Sequence, residues 1–516
     1  MTAVDDLTPL DIDDLTVDAL PDVARLGRRL TLSADTLDRV AEGRRHIEDL
    51  AGRPEPTYGV STGFGALATV AIPPERRAAL QVSLTRSHAA GIGALVEPAT
   101  VRAMMALRLH TLSTGRTGVR PEVVTTLAAL LNSGIVPAVH EFGSLGCSGD
   151  LSPLAHVAIV LQGEGQVLGP DGTTRPAAPA LARAGLTPVV LAEKEGLALI
   201  NGTDGMLGML ALALADLEDL VRIADITAAM SVEALLGTDR AFAADLIGMR
   251  PHPGQASSAA NLRRLLDGSP IVASHRQDSI HLVQDAYSLR CAPQVAGSAR
   301  DTMEYARGVA EREMDSIIDN PVITLDGRVE SNGNFHGAPV AHVLDFLAIP
   351  VADVASISER RTDRLLDRSR NQGLPAFLAH EVGVDSGCMI AQYTAAGIVS
   401  ELKRLAAPAS VDSIPSSAMQ EDHVSMGWAA GRKLTAAVRG LRQVLAIELI
   451  VAGRGLDLRA PLTPAPGTGA ALAALRTVVA GPGPDRIVSD EIHAAEALLA
   501  SGALLDAVSA AIGTLD

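Results

Sequence analysis

Three consecutive residues in the stretch Phe142–His156, FGSLGCSGDLSPLAH, are able to react with one another: Cys147, Ser148 and Gly149. Gly149 has no Cβ, so its amide nitrogen can approach the carbonyl carbon of Cys147 closely. Attack there, with loss of water, closes a five-membered ring. Loss of a second water from Ser148 turns its side chain into a methylidene. The product is a 4-methylidene-imidazol-5-one, a carbon electrophile that needs no external cofactor. Ser148 supplies the methylene, while Cys147 contributes its backbone and keeps its side chain as a substituent. Ser152 followed by Pro153 reads as the N-cap and first residue of a helix. The positive end of that helix would face the loop and stabilise charge developing there.

Other chemistries fit less well. A hydrolase nucleophile elbow needs Gly two residues after the serine, and that position is Asp150. No glycine loop ends in Gly-Lys-Ser/Thr, which removes a Walker-type phosphate cradle. The 13 histidines show no metal-ligand spacing, so no metal is expected. A thiol enzyme built on Cys147 is a further alternative and would need a base and an orienting group nearby.

The elements that must position this turn are mainly α-helical. The chain has 516 residues, 47% hydrophobic but only 2% aromatic, so its core is built from Ala, Leu, Val and Ile. Helical patterns run over 75–131, broken at 113–122, and over 153–162; a Gly/Pro-rich stretch at 163–180 reads as turns or a hairpin. A long, nearly all-round apolar helix is expected to end near 220, and others near 282–313, 336–368, 386–406 and 424–454. The segments 250–258 and 459–469 read as loops. The expected organisation is a loop-rich N-terminal domain, residues 1–205, carrying the reactive turn, then a long-helix bundle domain, 206–516.

A net charge of −17 argues against nucleic acid or anionic membranes as partners. Basic residues are nearly all Arg; Lys194, Lys403 and Lys433 are the only lysines. Cys147, Cys291 and Cys388 are odd in number and widely spaced, which disfavours a disulfide framework. An acidic start without an apolar signal core, and no apolar run reaching the roughly 18 residues of a membrane span, lead to the expectation of a cytoplasmic protein.

The turn GSLGCSGDLSPLAH resembles the prosthetic-group loop of the aromatic amino acid ammonia-lyases and aminomutases. So do YGVSTGFG (58–65), SHAAG (87–91), EKEGLALINGT (193–203), RPHPGQ (250–255), QDAYSLRCAPQ (284–294), DNP (319–321), SNGNFHG (331–337) and DSIPSSAMQEDHVSMG (412–427). They stand in family order over about residues 55 to 430. The resemblance implies an all-α, ammonia-lyase/fumarase-like architecture and a 4-methylidene-imidazol-5-one formed from Cys147, Ser148 and Gly149. It implies Tyr58 as the base removing a β-proton, Asn201 as an amide beside the prosthetic group, and Phe335 as a pocket wall. Arg290 is expected to hold the substrate carboxylate, with Gln284 and Tyr287 on the same helix face. His88 matches a polar selectivity position. Glu421 stands where phenylalanine and tyrosine enzymes usually have Gln, and a carboxylate there suits an imidazole, because facing a phenyl ring it would be left unsatisfied. The implied reaction is elimination of ammonia from L-histidine to trans-urocanate, with a tyrosine or phenylalanine lyase or an aminomutase as the alternative. A homotetramer with shared active sites is implied as well. Cys147, Ser61, Asp204 and Leu282 depart from the family's usual residues.

Overall fold

The computed structural model describes residues 7–53, 57–276 and 284–516. It divides into two compact units, each assembled from three chain segments: residues 1–213, 307–345 and 408–432, and residues 214–306, 346–407 and 433–516. The boundary expected near residue 205 coincides with the start of a long helix rather than with a break between units.

The first unit opens with α1 (Ala34–Ala51), α2 (Arg77–His88), α3 (Pro98–Ser113), α4 (Pro121–Asn132), α5 (Leu151–Leu161), α6 (Ala177–Arg183) and α7 (Glu195–Ile200), and α8 (Asp204–Ala234) begins in it. Local sequence sets these starts. Ser33 Oγ accepts from Thr36 N at 3.1 Å and caps α1, and Pro98 and Pro121 open α3 and α4, where the missing N–H costs nothing. The 163–180 stretch forms the expected hairpin, Gln166–Leu168 antiparallel to Thr174–Pro176. A second short antiparallel pair joins Ile92–Leu95 to His140–Phe142, just before the reactive turn.

The second unit contains α9 (Ala244–Gly248), α10 (Pro253–Leu266), α11 (Pro270–Ser274) and α12 (Tyr287–Arg290), with parts of α13 (Ala292–Met314), α14 (Ala338–Leu366) and α16 (Gly427–Asp457). It also holds α15 (Met389–Leu405), α17 (Pro466–Arg476), α18 (Val488–Ala500) and α19 (Ala503–Ile512). Pro253 and Pro466 act as helix starts, so helix replaces part of both expected loops, 250–258 and 459–469. The core here encloses the carboxylate of Glu448, which accepts from Thr227 (2.9 Å), Ser231 (2.7 Å), Ser358 (2.6 Å) and Arg361 (2.5 Å). A buried charge persists when its lone pairs are this fully used.

One sequence expectation about apolar runs is corrected. An 18-residue window of α14 has mean hydropathy 1.7 and reaches span length by composition, but 67% of it is buried inside the protein, as a core helix requires. A second correction concerns the face shared by Gln284, Tyr287 and Arg290. Helix α12 covers only Tyr287–Arg290, and Gln284 precedes it. Ala286 is extended (ψ 153°), and the Asp285 carboxylate is committed to Thr238 N at 2.8 Å, so the helical phase does not reach back to 284. Leu282 lies outside the described residues.

Candidate active site

The Cys147–Gly149 turn belongs to the first unit. Gly149 has φ +72°, and a Cβ placed there would lie 2.0 Å from the carbonyl oxygen of Gly202. Left-handed backbone and this close approach together demand glycine. The same carbonyl accepts from Asp150 N at 2.7 Å. The Asp150 carboxylate, fully buried, accepts from Met206 N and from Ser144 Oγ, each at 2.9 Å. It therefore caps the first turn of α8. Burial pushes this carboxyl up to about 7, against the opposing pull of the Met206 and Ser144 hydrogen bonds.

The other side of the turn is held just as closely. Ser425 Oγ donates to the Gly146 carbonyl at 2.7 Å, and Met426 N donates to Leu145 O at 2.9 Å. Gly337 N donates to Gly146 O at 3.4 Å. The strings containing Asn201, Phe335 and Glu421 thus converge on one turn although they are far apart in sequence. Glu421 touches it directly: Cys147 Sγ donates to Oε2 at 3.2 Å. Burial, reinforced by the Glu421 charge, pushes the Cys147 thiol up to about 12. A thiol held protonated beside a carboxylate is a poor nucleophile, which removes the thiol-enzyme alternative.

Helix α5 starts at Leu151 with Asp150 as its N-cap residue, so Ser152 and Pro153 stand two positions further into the helix than the sequence suggested. Ser152 is used elsewhere: its Oγ accepts from Ala90 N at 3.2 Å, and His156 Nε2, one turn on, accepts from Gly91 N at 3.1 Å. This face of α5 fixes the segment following His88. Burial, assisted by neighbouring His140, lowers His156 to about 4, so its nitrogen stays an acceptor. His88 is lowered too, chiefly by burial, with the Glu421 charge acting in the opposite sense. Its Nδ1 is 2.9 Å from the Leu84 carbonyl, which can only accept; Nδ1 therefore carries the proton and Nε2 is the acceptor.

Asn201 is buried, with Nδ2 donating to the Asn320 carbonyl (3.0 Å) and to Asp319 (3.3 Å), while its Oδ1 has no partner among the described residues. Asp319 in turn meets Lys194 Nζ at 2.5 Å, both completely buried. Arg108 Nη1 reaches the Ala198 and Asn201 carbonyls at 3.1 and 2.5 Å, and Nη2 pairs with Asp204 at 3.2 Å. Arg108, Lys194 and Asp319 were not singled out from sequence. A rare lysine in an arginine-dominated chain was the available signal. Asn320 Oδ1 accepts from Ser331 Oγ and Asn332 N, both at 3.0 Å, which anchors the strand leading to half-buried Phe335.

Tyr58 is half-buried; its Oη accepts from Gly65 N at 3.3 Å. Next to it, Gly59 (φ +73°) lies where a Cβ would be 3.0 Å from Pro321 and 3.1 Å from Leu197, so the Tyr58 loop packs against the elements that hold Asn201. Ser61 Oγ accepts from Thr57 N at 2.9 Å and braces the same loop. Gln284, Tyr287 and Arg290 belong to the second unit. There Tyr287 is 71% exposed, and the Arg290 guanidinium lies 4.6 Å from its ring centre.

Two observations fit a ring closed between residues 147 and 149: the Cβ-free contact of Gly149 on Gly202, and the buried Oδ1 of Asn201, one residue away and without a partner among the described residues.

The aromatic amino acid lyase family profile matches residues 15–477. The chain is 61% identical over 494 residues to the histidine ammonia-lyase of Streptomyces avermitilis, covering 96% of both chains. It is 48% identical to that of Gloeobacter violaceus, covering 100% of both. Among solved structures, the tyrosine aminomutase of Streptomyces globisporus superposes with TM-score 0.94 at 36% identity, covering 99% of this chain and 100% of that one. The histidine ammonia-lyase of Trypanosoma cruzi gives 0.88 at 38% identity, with 96% and 94% covered. The turn, the strings gathered around it and these matches carry one conclusion: the chain belongs to the aromatic amino acid lyase family.

Proposed function

We propose that the protein is a histidine ammonia-lyase, eliminating ammonia from L-histidine to give trans-urocanate. The observation that carries the choice of substrate is Glu421: a carboxylate at the Cys147 edge of the turn, with the Nε2 acceptor of His88 in its field. An imidazole N–H satisfies such a carboxylate, whereas a phenyl ring would strip its water and return no hydrogen bond.

Cys147, Ser148 and Gly149 would form the 4-methylidene-imidazol-5-one, which supplies a carbon electrophile toward the substrate's α-amino group. Asn201, whose Oδ1 has no partner among the described residues, would accept from that group. Tyr58 Oη removes the β-proton; a positioned base contributes roughly 10²–10⁴-fold. The guanidinium of Arg290 holds the carboxylate through paired N–H bonds, and Tyr287 and Gln284 complete the polar shell. Phe335 walls the pocket, and Glu421 and His88 orient the imidazole. The assembly we propose is a homotetramer whose sites draw on more than one copy.

The test is product identification with L-histidine, L-tyrosine and L-phenylalanine side by side, following urocanate absorbance and checking for β-amino acids. Histidine turnover that disappears in Ser148→Ala is expected. A fully active Ser148→Ala variant refutes the internal electrophile, and turnover of tyrosine in place of histidine refutes the substrate.

A further inference from the structure

The Cys147 side chain takes part in more than the ring. One oxygen of Glu421, Oε2, receives two donors, Cys147 Sγ at 3.2 Å and Ser416 Oγ at 2.9 Å. The other oxygen, Oε1, accepts no hydrogen bond from the described residues. Ser416 is itself fixed, since its backbone N–H and carbonyl pair with the carbonyl and N–H of Glu421 at 2.9 and 3.3 Å. The intervening Ser417, Ala418 and Met419 all lie in the left-handed region, at φ +51°, +53° and +70°. Such a turn persists only where its surroundings over-determine it. Cys147 is 7% exposed, so water does not compete for the contact. The protonated state of this thiol at neutral pH makes it a donor toward the carboxylate rather than a repelling charge.

We propose that Cys147 is a positioning residue for substrate recognition: its thiol and the Ser416 hydroxyl together anchor Glu421 Oε2, leaving Oε1 aimed at the imidazole N–H of L-histidine. The proposal rests on the histidine reading above and deepens it, assigning to the residue before Ser148 a role distinct from ring formation. Alanine at 147 would leave the carboxylate on a single anchor, free to turn. Because the contact acts on binding of the side chain and not on the reacting bonds, its loss belongs in KM.

The experiment compares wild type, Cys147→Ala, Cys147→Ser, Glu421→Gln and the Cys147→Ala/Glu421→Gln double variant. Each is measured for KM and kcat with L-histidine, and each intact mass is read for loss of two waters. Cys147→Ala is expected to lose both waters as wild type does, to raise KM about 3–10-fold, and to keep kcat within about two-fold. Cys147→Ser, which restores a donor, is expected to return KM to within about two-fold of wild type. In the Glu421→Gln background the Cys147→Ala change is expected to shift KM less than about two-fold, since the charged acceptor is gone. An unmoved KM in Cys147→Ala, an equal shift in both backgrounds, or failure of the variant to lose its waters overturns the assignment. Wild-type protein inert toward histidine overturns the histidine reading itself and the proposal with it, whereas active wild type with an unmoved variant overturns the Cys147 role alone.

Discussion

Replacing Gly149 by Ala tests the geometry on which the turn depends. The new methyl would sit 2.0 Å from Gly202 O, 2.2 Å from its carbonyl carbon and 2.6 Å from its Cα. All three are backbone atoms, so no rotamer change relieves the overlap. A left-handed alanine costs about 1–2 kcal/mol. Separating the two segments also breaks the 2.7 Å Asp150 N to Gly202 O bond and leaves a buried donor unsatisfied, a further ~1–3 kcal/mol. A loss of about 2–5 kcal/mol in a chain of 516 residues corresponds to a fall in Tm of roughly 2–5 °C. Gly134→Ala is the internal control: φ there is +74°, but nothing lies within 4 Å of the added Cβ, so only the left-handed cost applies. Thermal unfolding and intact mass would be read on both variants. Gly149→Ala is expected to melt about 1–3 °C below Gly134→Ala, to retain both waters, and to lack histidine turnover. A Gly149→Ala protein with wild-type Tm that still loses two waters would refute the argument that this backbone contact shapes the ring-forming turn.

Three other outcomes follow from the buried charges. Lys194→Met leaves the Asp319 side chain without its ammonium partner in a fully buried site, and should destabilise the protein by about 3–5 kcal/mol, measured by urea unfolding; a midpoint unchanged from wild type would contradict the pairing. His156 is lowered to about 4 from an ordinary 6.5, so the unfolded chain binds more protons between those values and stability is lost as pH falls from about 6.5 through 4. His156→Gln should reduce that acid-side loss by at most about 3 kcal/mol, read as the difference in unfolding midpoints at pH 7 and 4.5; Asp150, raised to about 7, runs the other way and is common to both proteins. Finally, iodoacetamide at pH 8 should label partly exposed Cys291 well before Cys147 and Cys388, whose thiols are pushed up to about 12 and about 11; peptide mapping that found Cys147 modified first would overturn its buried, protonated assignment.

The chemistry of this protein was written locally. The proposed ring closure needs three adjacent residues, so Cys147–Ser148–Gly149 suggested it without any fold. Helices were equally local, because apolar periodicity and Pro or Ser starts act within one turn: the runs read at 336–368, 386–406 and 424–454 became α14, α15 and α16 with ends moved by three residues or fewer. Where a residue's partner is distant, sequence was silent or misled. Ser152 looked like a cap until Asp150, committed to Met206, took that position and left its hydroxyl for Ala90. The face drawn through Gln284, Tyr287 and Arg290 assumed an unbroken helix that the Asp285–Thr238 bond interrupts. The side chain of Cys147 was read as a substituent on the ring or as a possible nucleophile, and only folding brought it to a carboxylate 274 positions away. A residue's type and its near neighbours fix what it can do; which distant group it does it to is decided by packing, because burial removes water as the competing partner and makes each surviving contact specific.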